Sequence, residues 1–418
     1  MRKLVMVISE VIKCSSCGEA YRARIGVGID GYQQHYIDCI KCFLPIVLAV
    51  RADPPNATIE ATSNCEIIPR IPDDKLTIIN FHPACAFNKE DLHDPRKFAS
   101  MDMLSILHKH VRVHENQRMI SLSHDFDVPN APTKWSQLKT ALQMLLNDKK
   151  DNAERIAKIY MKKRNEDGRY YIPGRNYSHL SLLYEYLAKL HYPLAPAIAG
   201  PITDKLNVLK AEGKLDDFYK FYRQEIKTEN LQRYINILSS YMANRDHFGQ
   251  LMYYARVSHD DIDDLIVSSK NFDSIKNFYG DAYETLTSNV TVLACINNIT
   301  DGRSYDEFKS MTLNKYIKDV SKENKTNPFK TNPLMSAFCE SDLESTIRNG
   351  SHHASIWHDG EVIKYRSGGT GAQRDISYTR FLYLCNKLTI KIVALWFIEI
   401  HLQYLFESES GELQLFTL

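Results

Sequence analysis

The sequence predicts a multidomain, mainly helical chain, with a small β-rich unit first, a helical middle, and a closing helical bundle that carries a β-hairpin insertion. Three observations predict this. Two Cys-x-x-Cys pairs punctuate short runs rich in Val, Ile and Tyr within residues 1–70. From Thr133 onward the apolar period becomes that of helices. Near the end, strand-like residues lead into a long apolar stretch over 388–406.

Taken in order, residues 1–70 read as strands over 5–11, 21–27, 35–40 and 46–50, separated by Gly and Cys and closed by the turn Asp53-Pro54-Pro55-Asn56. Residues 71–130 form a mixed α/β segment. It has helical spacing over 101–113, a candidate strand over 120–126, and loops at His82-Pro83-Ala84-Cys85 and His93-Asp94-Pro95. Residues 131–269 form a helical middle domain, with helices expected over 135–146, 151–161 and 177–190. A break follows at Pro193, Pro196 and Pro201, then helices over 204–211, 215–225, 230–245 and 260–267. The loop Gly168–Arg175 sets two arginines among aromatics, a mixture able to hold phosphates and bases, although packed tyrosines on a surface loop are the simpler account. Residues 270–418 close the chain. A helix is expected over 273–298, then a polar loop over 321–333 and a helix over 341–353 capped by Ser341 or Asp342. Strands over 354–356 and 362–365, a Gly-rich link at 367–371 and a helix over 379–406 complete it.

Composition bounds the function. With 44% hydrophobic and 25% charged residues the chain is an ordinary globular one. A net charge of +1 leaves no global basicity, so any nucleic-acid surface must be a local patch. The 24 tyrosines are expected to be packing residues. Glu10 interrupts the apolar run after Arg2 and Lys3, which argues against a signal peptide. Lys391, Glu399 and His401 lie inside the apolar stretch 388–406 and would each be costly in lipid, so a buried helix is expected rather than a membrane span. The protein is expected to be soluble and cytoplasmic, with its nine cysteines reduced.

Cys14-Ser15-Ser16-Cys17-Gly18 and Cys39-Ile40-Lys41-Cys42 can surround one tetrahedral metal ion, because a two-residue spacer lets both sulfurs of a pair face the same centre. Gly18 relieves crowding where the chain turns. Four unrelated core cysteines, or a redox pair, is the competing account. With strands between the pairs the region resembles a zinc ribbon, implying one structural Zn²⁺ and an extended β-hairpin between the pairs. Four sulfurs leave no open coordination position, so such a metal takes no part in catalysis. His82, Cys85 and His93 form an incomplete second set, with His108, His110 and His114 equally available; capping or surface roles suit them better.

The run Arg348-Asn349-Gly350-Ser351-His352-His353 carries the functional signal. RNA brings its own nucleophile, the 2′-OH, so a cleaving enzyme need supply only proton transfer and charge stabilisation. A neutral His accepts or donates a proton near neutral pH. Arg, always charged and fork-shaped, suits a phosphorane, and Asn orients a His or binds phosphate. Arg followed by four residues and His, in a helix followed by a β-hairpin and a long apolar helix, resembles the HEPN ribonucleases of bacterial defence systems over roughly residues 270–406. The resemblance implies metal-independent cleavage leaving a 2′,3′-cyclic phosphate, with Arg348 and His353 catalytic in a homodimer whose two motifs face each other. It further implies a toxin-like effector of anti-phage defence, restrained until a phage-derived trigger arrives, with the helical middle as sensor. Helix geometry complicates the pair. Arg348 and His353 stand about 140° apart around a helix, whereas Arg348 and His352 share a face. Gly350 bending the helix, or two protomers sharing the site, would reconcile them. His352 is therefore a rival or second proton-transfer group, and His358 a third candidate. The alternative function is a non-catalytic adaptor, with the cysteine unit reading nucleic acid or protein and the helical bundle as dimeriser.

Overall fold

The computed structural model describes residues 7–53, 56–70, 76–110, 126–166, 171–269, 272–339, 344–367 and 371–417. Two cores organise them. The smaller joins apolar residues from Ile12 to Phe81, and the larger joins those from Cys85 to Phe416.

The first core lies between two small sheets. Strands β1 (Val7–Cys14), β2 (Ala20–Gly26), β6 (Cys65–Ile68) and β7 (Thr77–Phe81) form one, in the order β6-β1-β2-β7. Strands β3 (Tyr32–Asp38), β4 (Pro45–Asp53) and β5 (Asn56–Ser63) form the other as an antiparallel meander. Alternation drives the packing: Ile12, Tyr21, Ala23 and Ile25 turn inward from the first sheet, and Ile46, Leu48 and Val50 from the second. Because β7 pairs in parallel with β2, this unit reaches Phe81 rather than stopping at residue 70. The hairpin expected between the cysteine pairs does not form, since β2 and β3 belong to different sheets. Each cysteine pair instead makes the turn of its own hairpin, β1–β2 and β3–β4.

A short strand β8 (Phe87–Asn88) and helix α1 (Ala99–His110) lead into the helical body. Residues 111–113 of the expected first helix, most of the strand expected over 120–126, the Pro54-Pro55 turn, residues 168–170 of the Arg–aromatic loop, the Ser341 and Asp342 caps, His114, and most of the 367–371 link lie outside the described residues. Helices α2 (Ala131–Leu146), α3 (Lys150–Glu166) and, after the short strand β9 (Asn176–Ser178), α4 (His179–His191) follow the expected periods. The proline break holds at Pro193, which separates α4 from α5, but goes no further: α5 runs unbroken through Leu194–Ala211. Pro196 sits in its first turn, where the missing N–H has no intrahelical acceptor to lose, and Pro201 lies inside the helix. After α6 (Asp216–Phe221) a π-helical turn, Tyr222–Ile226, joins α7 (Lys227–Ala243). Helix α8 (Arg245–Arg256) was not expected as a separate element, and the helix expected over 260–267 is instead a bend carrying the two-residue strand β10 (Leu265–Ile266) against β8.

The last third opens with α9 (Phe272–Ile275), α10 (Phe278–Asn289) and α11 (Thr291–Thr300), three helices where one was expected. Helix α12 (Leu313–Asp319) and short 3₁₀ turns, Lys322–Asn324 among them, cross the polar loop to α13 (Ser345–His352). The expected hairpin is β11 (Ile356–Asp359) with β12 (Val362–Arg366), and β13 (Gln373–Ser377) adds a third strand. Ser377 then caps α14 (Tyr378–Glu407), accepting a bond from the Arg380 N–H at 3.0 Å. The chain ends on β14 (Leu415–Thr417), paired with β9.

Helix α14 is the axis of the body. It is long and apolar enough to cross a membrane, yet 94% of its most apolar window is buried inside the protein, as befits a helix that is apolar all round and wrapped by others. Trp396 stacks on Tyr234 at 4.9 Å and meets Trp135 edge-on at 6.4 Å. Glu399 is held by the Tyr222 and Tyr234 hydroxyls and the Asn230 amide at 2.9, 2.6 and 2.9 Å. Helices of the middle and of the last third thus share one core, and the boundary expected between residues 269 and 270 falls inside it. The tyrosines serve as packing residues: Tyr160, Tyr186, Tyr222, Tyr234, Tyr279 and Tyr316 are all fully buried.

Candidate functional site

Two constellations carry chemistry. In the first, Cys14, Cys17, Cys39 and Cys42 bring their sulfurs within 4.8 Å of one another. Cys14 faces Cys42 at 3.7 Å, and Cys17 faces Cys39 at 3.5 Å. A tetrahedral Zn²⁺ with sulfur bonds of about 2.3 Å needs sulfur–sulfur edges of about 3.8 Å, so the cradle fits a thiolate-bound metal with little adjustment. The two turns match: Gly18 N–H reaches Cys14 carbonyl at 3.1 Å, and Phe43 N–H reaches Cys39 carbonyl at 2.8 Å. Both following residues are left-handed, Gly18 at φ 75° and Phe43 at φ 58°. The Tyr21 hydroxyl lies 2.9 Å from the Cys39 sulfur and donates to it once the sulfur is a metal-bound thiolate. The cluster lies where the β1–β2 and β3–β4 hairpin turns of the two sheets meet.

The second set does not converge. His93 bonds the Ile78 carbonyl, His82 accepts from the Ala84 N–H, and Cys85 is buried in the larger core. Among the described residues, the four cysteines are the group with metal-binding geometry. All nine cysteines are free thiols. In the loop that ends at Arg175, Tyr171 is buried and gives its hydroxyl to Glu185 at 2.5 Å, the packing role expected of it.

The other constellation lies where α13 crosses α10. The contact is close because Gly280 has no side chain: a Cβ there would stand 3.0 Å from His352 Nε2 and 3.2 Å from the Ser351 Cβ. One turn back from His352, Arg348 gives Nε to Glu284 Oε1 at 2.6 Å, gives Nη2 to the same oxygen, and gives Nη1 to Asn349 Oδ1 at 2.7 Å. Burial raises the Asp281 carboxyl above its ordinary range, with nearby His352 opposing the shift and Glu284 adding to it. Lys322, on the 3₁₀ turn, brings its ammonium 3.6 Å from Glu284 and bonds the Ser288 hydroxyl. Arg348, Asn349 and His352 are thus placed on a strip with Asp281, Glu284, Ser288 and Lys322, a mixture of fixed charges and titratable groups open to solvent.

His353 stands differently. It is the C-cap of α13, its N–H bonded to the Asn349 carbonyl at 3.0 Å, and it is exposed where the chain turns through left-handed Ala354. The helix continues without interruption through Gly350 to His352, and Gly350 is buried against Tyr365, Arg366 and Ser355. His358, on β11, packs its ring against Tyr378 and Phe272 at 5.0 and 5.8 Å, away from the strip. Asp281, Glu284 and Lys322 were not singled out from the sequence. The one local trace of them is the spacing of Asp281, Glu284 and Ser288 along a single helical face.

No family model, curated protein or solved structure matches this chain.

Proposed function

We propose that the protein is a metal-independent endoribonuclease of HEPN type, acting at the α10–α13 strip. The observation that carries the reading is the placement of Arg348 and His352 one helical turn apart on a solvent-facing strip beside Asp281. In the reaction the 2′-oxygen bonds to phosphorus while the P–O5′ bond breaks. One imidazole takes the 2′-OH proton, and a second protonated imidazole supplies one to the departing 5′-oxygen. His352, with Asp281 to orient it, suits one role, and His353 at the helix end suits the other. Arg348 offsets the phosphorane charge. The products are a 2′,3′-cyclic phosphate and a 5′-hydroxyl. The resemblance supports a homodimer with facing sites, in which the second imidazole can come from the partner, and a triggered, toxin-like role in anti-phage defence. We further assign the four-cysteine cradle one structural Zn²⁺.

A second reading has its own observation: Arg348 is already engaged by Glu284 and Asn349, as an interhelical structural pair would be in a non-catalytic adaptor. The test is incubation of wild type, His352→Ala and His353→Ala with single-stranded RNA and tRNA, followed by analysis of 3′ ends. Loss of a proton-transfer group is expected to slow cleavage by about 10²–10⁴, with cyclic phosphates formed by the wild type and insensitive to brief chelation. Absence of cyclic phosphate ends from the wild-type reaction, or full activity in both variants, favours the adaptor.

A further inference from the structure

The strip holds a feature that the cleavage reading does not use. Two cationic groups converge on one carboxylate: the Arg348 guanidinium and, at 3.6 Å, the Lys322 ammonium hold Glu284, while Lys322 also bonds Ser288 one turn along α10. The three charged side chains are partly shielded, at 28% exposure for Arg348 and Glu284 and 35% for Lys322. Two cations therefore face one anion in a setting where charge is only partly screened. A carboxylate and the two non-bridging oxygens of a phosphodiester present the same anionic edge to a guanidinium fork and an ammonium.

We propose that Arg348 and Lys322 form a phosphodiester seat, which the Glu284 carboxylate fills in the free protein and which RNA must take from it to bind. The inference rests on the ribonuclease reading for the identity of the polyanion, and it gives two residues outside the motif definite roles. Lys322 contacts the phosphate beside Arg348. Glu284 competes with the substrate for both cations and sets how much RNA is needed to open the seat. Burial lowers the Lys322 ammonium below its ordinary value, Arg233 and Arg348 acting in the same direction and Glu284 against them.

The probe is a 2′-O-methyl RNA oligonucleotide, which carries the phosphodiesters but has no 2′-hydroxyl to attack them. Glu284→Gln keeps the shape of the plug and removes its charge; it is expected to tighten binding by about tenfold. Adding Lys322→Ala to that variant is expected to erase the gain. Lys322→Ala alone changes a partly exposed loop residue and is expected to weaken binding, which keeps the proposal testable even if Glu284→Gln does not fold. Binding by Glu284→Gln no tighter than wild type, a gain that survives loss of Lys322, or unchanged binding by Lys322→Ala would each overturn the seat. Cleavage of unmodified RNA is scored separately. Tighter binding without cutting by any form removes the ribonuclease reading and leaves the seat, whereas cutting with no response to these variants does the reverse.

Discussion

The cysteine cradle and the α10–α13 strip solve the same problem, bringing polar groups from two elements to one point, in opposite ways. Each half of the cradle is a tight turn closed by its own backbone bond, Gly18 to Cys14 and Phe43 to Cys39. A metal bound there would join two preformed halves. The strip has one preformed half, Arg348 and His352 on α13; the groups facing it come from α10, with 64 residues separating Glu284 from Arg348. The cradle is therefore a site that a metal would complete, and the strip is one that tertiary packing completes.

The sharpest way to break this comparison is to remove the metal. Binding to a structural thiolate site is worth about 10–16 kcal/mol in apparent free energy, against about 5–15 kcal/mol for the stability of a whole domain. Chelation, or Cys14→Ser, is expected to unfold the β unit while the helical body, which has a separate core, keeps its structure. Calorimetry should show one transition lost and another retained, and elemental analysis should find one metal per chain before treatment. A metal-free protein whose transitions are unmoved would make the cradle an ordinary cysteine cluster.

Acid tests the seam between the two regions. The β unit rests on the body through polar contacts: His35 with Ser268 at 3.2 Å, His247 with Ser269 at 2.8 Å, Gln250 with the His82 carbonyl at 2.5 Å, and the Gln34 N–H on Asp246 at 3.2 Å. Burial pushes His35 down to about 3, and His82 and His247 to about 4. Released from the seam, these rings protonate near 6.5. The stability they represent is present above that value and is lost as pH falls toward 4. Asp246, pushed up to about 6 by burial, works the other way: its contribution is complete below its ordinary value and fades as pH rises through 6. Three histidines outweigh one carboxyl, so the seam is expected to loosen between about pH 6.5 and 4. Limited proteolysis at the two ends of that range measures it, and equal cleavage rates at both would show that the seam does not titrate.

What was legible in the sequence follows the same division. The cysteine spacing, the Arg348–His353 run and the closing helix are local patterns, and each lies where its period placed it. Beyond the shared helical face of Asp281, Glu284 and Ser288, the Asp281, Glu284 and Lys322 partners were not legible, because periodicity shows which face of a segment is polar and not which distant residue meets it, as Arg348 meets Glu284 across 64 residues. The expected break at Pro193, Pro196 and Pro201 holds only at Pro193, between α4 and α5: Pro196 falls in the first turn of α5, where a proline removes no intrahelical bond, and Pro201 is carried inside the helix. The expected hairpin between the cysteine pairs misjudged which strands pair, a choice made by the apolar faces of two sheets and not by turn residues. The single helical core was hidden for a related reason. Trp135, Tyr234 and Trp396 look like three separate helical faces until they stack.

Two glycines give the smallest effects and separate packing of the strip from bending of its helix. Gly350 sits inside α13, and an added Cβ would meet Tyr365 at 3.4 Å and the Arg366 and Ser355 carbonyls at 3.5 Å, ordinary contact distances. Since the helix is continuous there, Gly350→Ala is expected to fold and to gain about 0.5–1 kcal/mol from the lower entropy of the unfolded chain, leaving RNA cleavage intact. Gly280→Ala puts its methyl 3.0 Å from the His352 ring and 3.2 Å from Ser351, so α13 or the imidazole must move. Its cost is expected to show in the cleavage rate more than in the melting temperature, because the mobile ring gives way before the backbone does. If Gly350→Ala were the variant that lost activity, the motif would need a bend that the free protein does not display, and His353 rather than His352 would be the group it brings to Arg348.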